Sequence, residues 1–127
     1  MELEITGRLK RIATDGKRMR YDVPVVAIKK NGKSFIAYLN KAAVKVCEGI
    51  GKASWYADDE KHQIYIMPSK AVNAYKPIYQ GTKLRGYCMP AELVNNGTVK
   101  EGHYKIYKCK SGFGFRTYER LEDQDGQ

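Results

Sequence analysis

A strand running directly into a helix cap occurs twice in this chain, and that repetition limits it to folds built from two similar units. Residues 35–44 (Phe-Ile-Ala-Tyr-Leu-Asn-Lys-Ala-Ala-Val) fall on residues 84–93 (Leu-Arg-Gly-Tyr-Cys-Met-Pro-Ala-Glu-Leu). Each stretch is followed by a glycine-closed turn and a hairpin. Identity is slight, and the order of elements carries the match.

The first 39 residues read as strands. Leu3, Ile5 and Leu9 alternate as on a half-buried strand, and Asp15-Gly16 is a turn signal. Val23 to Ile28 is a second apolar run, with Pro24 favouring a strand start or an edge. Asn31-Gly32 separates it from Ser34 to Leu39, the strongest short hairpin signal in the sequence. Asn40 then caps a short helix over 41–47, in which Ala43, Val46 and Cys47 share a face and Gly49 marks the stop. Lys52 to Ala57 and His62 to Met67 form a hairpin around the polar turn 58–61, and residues 68–70 read as a linker. The second half repeats the order: a weak strand over 77–79 and a better one over 83–89. Pro90 opens the first turn of a helix over 91–95, where its missing amide costs nothing. A hairpin over 103–109 and 113–118 follows.

The 127 residues suit one domain, and a chain of this size needs no disulfide or metal to hold a core. Ten Tyr, three Phe and one Trp favour strands. Cys47, Cys88 and Cys109 make an odd count without a close pair, so they read as reduced structural thiols of a cytoplasmic protein. No apolar run spans a membrane and no signal segment opens the chain. His62 and His103 have no ligand-like spacing to Cys or Glu. Phosphate loops, nucleophile elbows and triads are lacking. The expectation is therefore a non-enzymatic protein without cofactor or metal.

Residues 84–107 (Leu-Arg-Gly-Tyr-Cys-Met-Pro-Ala-Glu-Leu-Val-Asn-Asn-Gly-Thr-Val-Lys-Glu-Gly-His-Tyr-Lys-Ile-Tyr) resemble the AbrB/MazE/SpoVT-type swapped-hairpin domain. Pro90, Glu92, Leu93, Gly97, Lys100, Glu101 and Gly102 match its pattern. The first half fits more loosely, with Asn40 in place of the proline. In that family two βαββ units interlock into one barrel, usually from two chains. The resemblance implies a mainly β (α+β) barrel with two short helices, made from a tandem βαββ pseudo-repeat in a single chain. A homodimer is the alternative arrangement. Residues 1–118 would form one domain: basic N-terminal strands over 1–22, the first half over 23–70 and the second over 71–118. Residues 119–127 would be a flexible acidic tail.

The formal charge of +9 attracts polyanions. Four acids stand among the last nine residues against Arg120 alone, so residues 1–118 hold an excess of twelve positive charges. From residue 8 to 33 there are nine bases, Arg8, Lys10, Arg11, Lys17, Arg18, Arg20, Lys29, Lys30 and Lys33, against Asp15 and Asp22. Such a cluster on adjacent hairpins would neutralise several phosphates and make binding steeply salt-dependent; it would equally protect exposed edges from aggregation. Many members of the family are transcription regulators or antitoxins that set basic loops on DNA, and the resemblance assigns that role to Lys29, Lys30, Lys33 and Arg85. Here Arg85-Gly86 stands where the family commonly has Gly-Arg. Lysine also lacks the planar grip that arginine has on guanine.

The expected function is DNA binding by an AbrB-like regulator of bacterial or phage origin, with double-stranded DNA as partner. The competing class is a protein-interaction module, such as an antitoxin or a phage-encoded inhibitor (anti-CRISPR-like) of an acidic or nucleic-acid-carrying host protein. Sequence-independent single-strand binding is a third. Gly112-Phe-Gly-Phe-Arg-Thr-Tyr118 is similar to the aromatic strand of RNA-recognition motifs. Too few residues follow it to complete that fold, so Phe113 and Phe115 are read as hairpin packing. In 104–110 aromatic and basic residues interleave, with Tyr104 and Ile106 expected on one face and Lys105 and Tyr107 on the other.

Overall fold

The computed structural model describes residues 21–125. The expected N-terminal strands and the Asp15-Gly16 turn lie outside that range, as do Arg8, Lys10, Arg11, Lys17, Arg18 and Arg20. The described chain runs β1 (Val25–Asn31), β2 (Ser34–Leu39), α1 (Lys41–Cys47), β3 (Ala53–Asp58), β4 (Gln63–Pro68), β5 (Pro77–Gln80), β6 (Lys83–Met89), α2 (Ala91–Asn95), β7 (Gly102–Cys109), β8 (Gly112–Arg120) and α3 (Leu121–Asp125). All eight strands join one curled antiparallel sheet in the order β3-β4-β8-β7-β1-β2-β6-β5. Hairpins drawn from residues 25–68 therefore alternate across the sheet with hairpins drawn from 77–120.

Turn chemistry sets these hairpins. Gly32 and Gly81 both adopt a φ of 65° at the first of two loop positions, the place a type II′ hairpin turn reserves for glycine. The curl brings the two edges of the sheet together at one point, where Ala53 and Tyr75 exchange backbone hydrogen bonds of 2.9 and 2.8 Å. Trp55 Nε1 reaches the Cys88 carbonyl at 3.1 Å, and the Tyr87 hydroxyl reaches the Gly51 carbonyl at 3.1 Å. These bonds tie the β3 end of the sheet to β6.

The concave face holds the core. Strand alternation sends Val26, Ile28, Ala37, Ile64, Ile66, Tyr87, Tyr104, Ile106, Phe113 and Phe115 into it. Tyr87 and Phe113 rings meet at 6.4 Å, and Tyr104 and Phe115 rings at 4.8 Å. Ala43 and Cys47 of α1 are buried here, and burial pushes the Cys47 thiol up to about 12. Helix α2 adds Ala91, Leu93 and Val94 at the margin of the same core.

Several expectations are corrected. The described residues contain three short helices rather than two, because residues 121–125 do not simply trail away. Strand β8 continues through Arg120 and Leu121–Asp125 then turns helical. Glu122 anchors that turn by accepting the His103 amide at 2.9 Å and bonding the His103 ring. Strand β1 begins after Pro24, and β4 runs through Pro68, so the connection to β5 is residues 69–76. Pro90 is the N-cap of α2, with extended backbone (φ −61°, ψ 122°), one position before the first helical turn.

Candidate nucleic-acid interface

Lys29, Lys30 and Lys33 are all exposed at the tip of the β1–β2 hairpin. The tight turn at Gly32 holds them within five residues on a paired, regular ladder. Lys100 and Glu101 stand just ahead of β7, the neighbour of β1. The Glu101 carboxylate accepts the Lys30 amide at 3.0 Å, so one acid sits among these bases.

Arg85 does not join that group. Register places Met89 opposite Phe35, which is itself opposite Lys30. Arg85 lies four residues further along β6, a separation of about 13 Å at strand rise. It occupies the register shift between β6 and β5, is exposed, and donates to the Gln80 side chain. The β2–β6 register, which spacing along the sequence does not reveal, sets that separation.

A second surface draws on the two stretches, 104–110 and 112–118, that read in the sequence as ordinary strand alternation and hairpin packing. On the convex face, register aligns Tyr56, Tyr65, Gly114 and Tyr107 in one row across β3, β4, β8 and β7. Gly114 is the low point of that row. A Cβ built there would lie 2.6 Å from the Ile64 carbonyl oxygen and 3.1 Å from Tyr65 Cδ1. The resulting groove of about 260 Å³ is lined by Tyr65, Tyr107, Cys109, Gly114 and Arg116. The Arg116 guanidinium lies 4.4 Å from the Tyr107 ring centroid and the Lys105 ammonium 5.6 Å from it, within cation–π range. Glu119 holds both groups, accepting the Tyr107 hydroxyl at 2.8 Å and Arg116 at 3.3 Å. The hydrogen bond to this carboxylate, with some burial, raises the Tyr107 phenol above its ordinary value. The signal was present in Gly112-Phe-Gly-Phe: the same alternation that buries both phenylalanines leaves two glycines on the opposite face.

A larger cleft of about 570 Å³ opens beside the β3–β4 turn, with Asp58, Asp59, Asp123, His62, Lys100 and Arg120 on its walls. Its mixed charges give it no preference for a polyanion. Arg120 bonds Asp123 at 3.3 Å, and its buried Nε lies 3.8 Å from Glu122 without a hydrogen-bond partner. Burial alone would raise the Glu122 carboxyl, but hydrogen bonds from the His103 ring and amide outweigh it and hold the group below its ordinary value. The Tyr21 ring lies 5.6 Å from the His103 ring, tilted by 46°. The three cysteines are free. Among the described residues, no cluster of three or more His, Cys, Asp or Glu is suited to a metal ion, and no helix is long and apolar enough to cross a membrane.

No protein-family model matches this chain, no curated protein matches it, and no solved structure matches it.

Proposed function

We propose that the protein is a DNA-binding regulator of the AbrB-like, swapped-hairpin kind, with the β1–β2 tip as its contact to the phosphate backbone. The observation that carries this reading is the exposed trio Lys29, Lys30 and Lys33 on a two-residue hairpin turn. A projecting lysine tip neutralises phosphates as point charges and reads no base directly. The general charge agrees. Residues 21–125 contain seventeen of the 23 Lys and Arg but eleven of the 14 Asp and Glu, an excess of six before the basic N-terminal stretch is counted. The swapped-hairpin assignment draws support from the alternation of hairpins from the two halves and from the matching glycine turns at Gly32 and Gly81.

The test is a binding titration with duplex DNA over a range of salt. Affinity should fall steeply as salt rises, and the triple substitution Lys29→Gln, Lys30→Gln, Lys33→Gln should reduce the slope of log affinity against log salt by about three. Absence of binding at low salt would remove the reading.

One feature favours a protein partner as the second reading. Strand β5 is a short edge strand that carries Tyr79, 57% exposed. A partner strand could add to such an edge through main-chain hydrogen bonds. A pulldown that retains a protein in wild type and loses it on Ile78→Pro would support this alternative.

A further inference from the structure

We infer that the groove over Gly114 is a binding site for a base of single-stranded nucleic acid, with Tyr65 and Tyr107 as its walls and Arg116 and Lys105 as its phosphate contacts. This rests on the nucleic-acid reading above but assigns it a second surface and a different form of the polymer. The groove combines the two features that single-strand sites need, aromatic rings for sequence-tolerant stacking and cations that follow the backbone.

Gly114 makes room. It lines the groove with no side chain rising from it, at a place where β4 packs so closely that a Cβ would clash with the Ile64 carbonyl oxygen. Tyr107 stands on one side, its ring fixed by the Glu119 hydrogen bond and by the guanidinium at 4.4 Å. Ordering these groups in advance lowers the entropy lost when a base enters. Glu119 engages Arg116 through one nitrogen, which leaves further guanidinium donors for a phosphate oxygen. On the groove's side of the sheet Lys105 is exposed on β7, and Lys110 is exposed in the turn that follows, so the surroundings favour a polyanion over a neutral apolar ligand.

The shape selects a single strand. A duplex keeps its bases stacked inside and offers a protein phosphates and groove edges, which cannot enter a recess between two tyrosines. A single strand can splay a base outward onto an aromatic platform. The convex position also keeps this site separate from the hairpin tip, since Tyr107 pairs opposite Gly114 whereas Lys29 and Lys30 lie across β1 at the far end of β7.

The test compares a fluorescent oligothymidine of about twelve nucleotides with a duplex of the same length, at low salt, on the full chain. Tyr107→Leu should weaken oligothymidine binding about tenfold and duplex binding less than about twofold, the size expected for one stacked base. Tyr107→Phe, which keeps the ring and loses the hydroxyl, should retain oligothymidine binding within about twofold. Photocrosslinking with iodouridine in the oligomer should label peptides containing Tyr65 or Tyr107. The inference is overturned if Tyr107→Leu weakens both polymers equally, if Tyr107→Phe loses as much as Tyr107→Leu, or if crosslinks map elsewhere. Duplex binding without any oligothymidine binding overturns the groove and leaves the DNA-binding proposal standing. Loss of both overturns the proposal on which the groove depends.

Discussion

At the start of α1, the Asn40 side chain makes four hydrogen bonds; at the corresponding start of α2, the Pro90 side chain makes none. Asn40 accepts from Ala43 N at 2.8 Å and Val25 N at 3.0 Å, and donates to the carbonyls of Val23 at 2.8 Å and Tyr21 at 3.3 Å. It therefore caps the helix and also fastens the chain entering β1. Pro90 only presets the backbone angle, and α2 is held by the apolar contacts of Ala91, Leu93 and Val94 and by the Val99 amide on the Leu93 carbonyl at 2.8 Å. The seams between the halves differ in the reverse sense. In the β2–β6 and β4–β8 pairs it is the second half that supplies the glycines, Gly86, Gly112 and Gly114, where the first half presents its carbonyls. Similar order is thus reached by unlike chemistry, and substitutions at these places should have unequal effects.

The largest effect is expected at a seam. A Cβ at Gly86 would lie 2.1 Å from the Ala37 carbonyl oxygen, a backbone atom that cannot turn aside. Gly86→Ala should cost about 3 kcal/mol in chemical denaturation, and a cost under about 1 kcal/mol would mean the seam is looser than described. At the helix starts, Asn40→Ala should cost about 2 kcal/mol, from the lost cap and the backbone groups left without partners. Pro90→Ala should change stability by no more than about 0.5 kcal/mol; equal costs at the two positions would erase the contrast between the halves.

The smallest effect belongs to the C-terminal helix. Glu122 is held below the ordinary carboxylate range in the folded chain, so it contributes stability above the unfolded value and loses it as pH falls through the folded one. Wild type should melt higher than Glu122→Gln at neutral pH, and the difference should close as pH drops below about 4. A difference that persists in acid would mean that the ionised carboxylate is not what docks α3 on His103.

Local chemistry was readable from the chain itself. The two helices at 41–47 and 91–95 and the hairpins around Gly32 and Ser111 depend on neighbours a few residues away, and the structure has them where caps and turns indicate. The inward placement of Tyr104, Ile106, Phe113 and Phe115, against outward Lys105 and Tyr107, follows from the two-residue period of a strand. The C-terminal helix was not readable, because its anchor is His103, nineteen residues away.

Of the candidate interface, the sequence picked out the lysines of the β1–β2 tip, which are close in the chain as well as in space. It could not set Arg85 apart from them, since strand order and the β2–β6 register decide that distance. Nor could it assemble the groove, whose row joins Tyr65, Gly114 and Tyr107 from three strands. By itself the sequence determined which residues turn, cap, alternate and carry charge, because those properties are local. Tertiary structure alone decided the order of strands and their register, because pairing between distant segments brings together side chains that no local pattern relates.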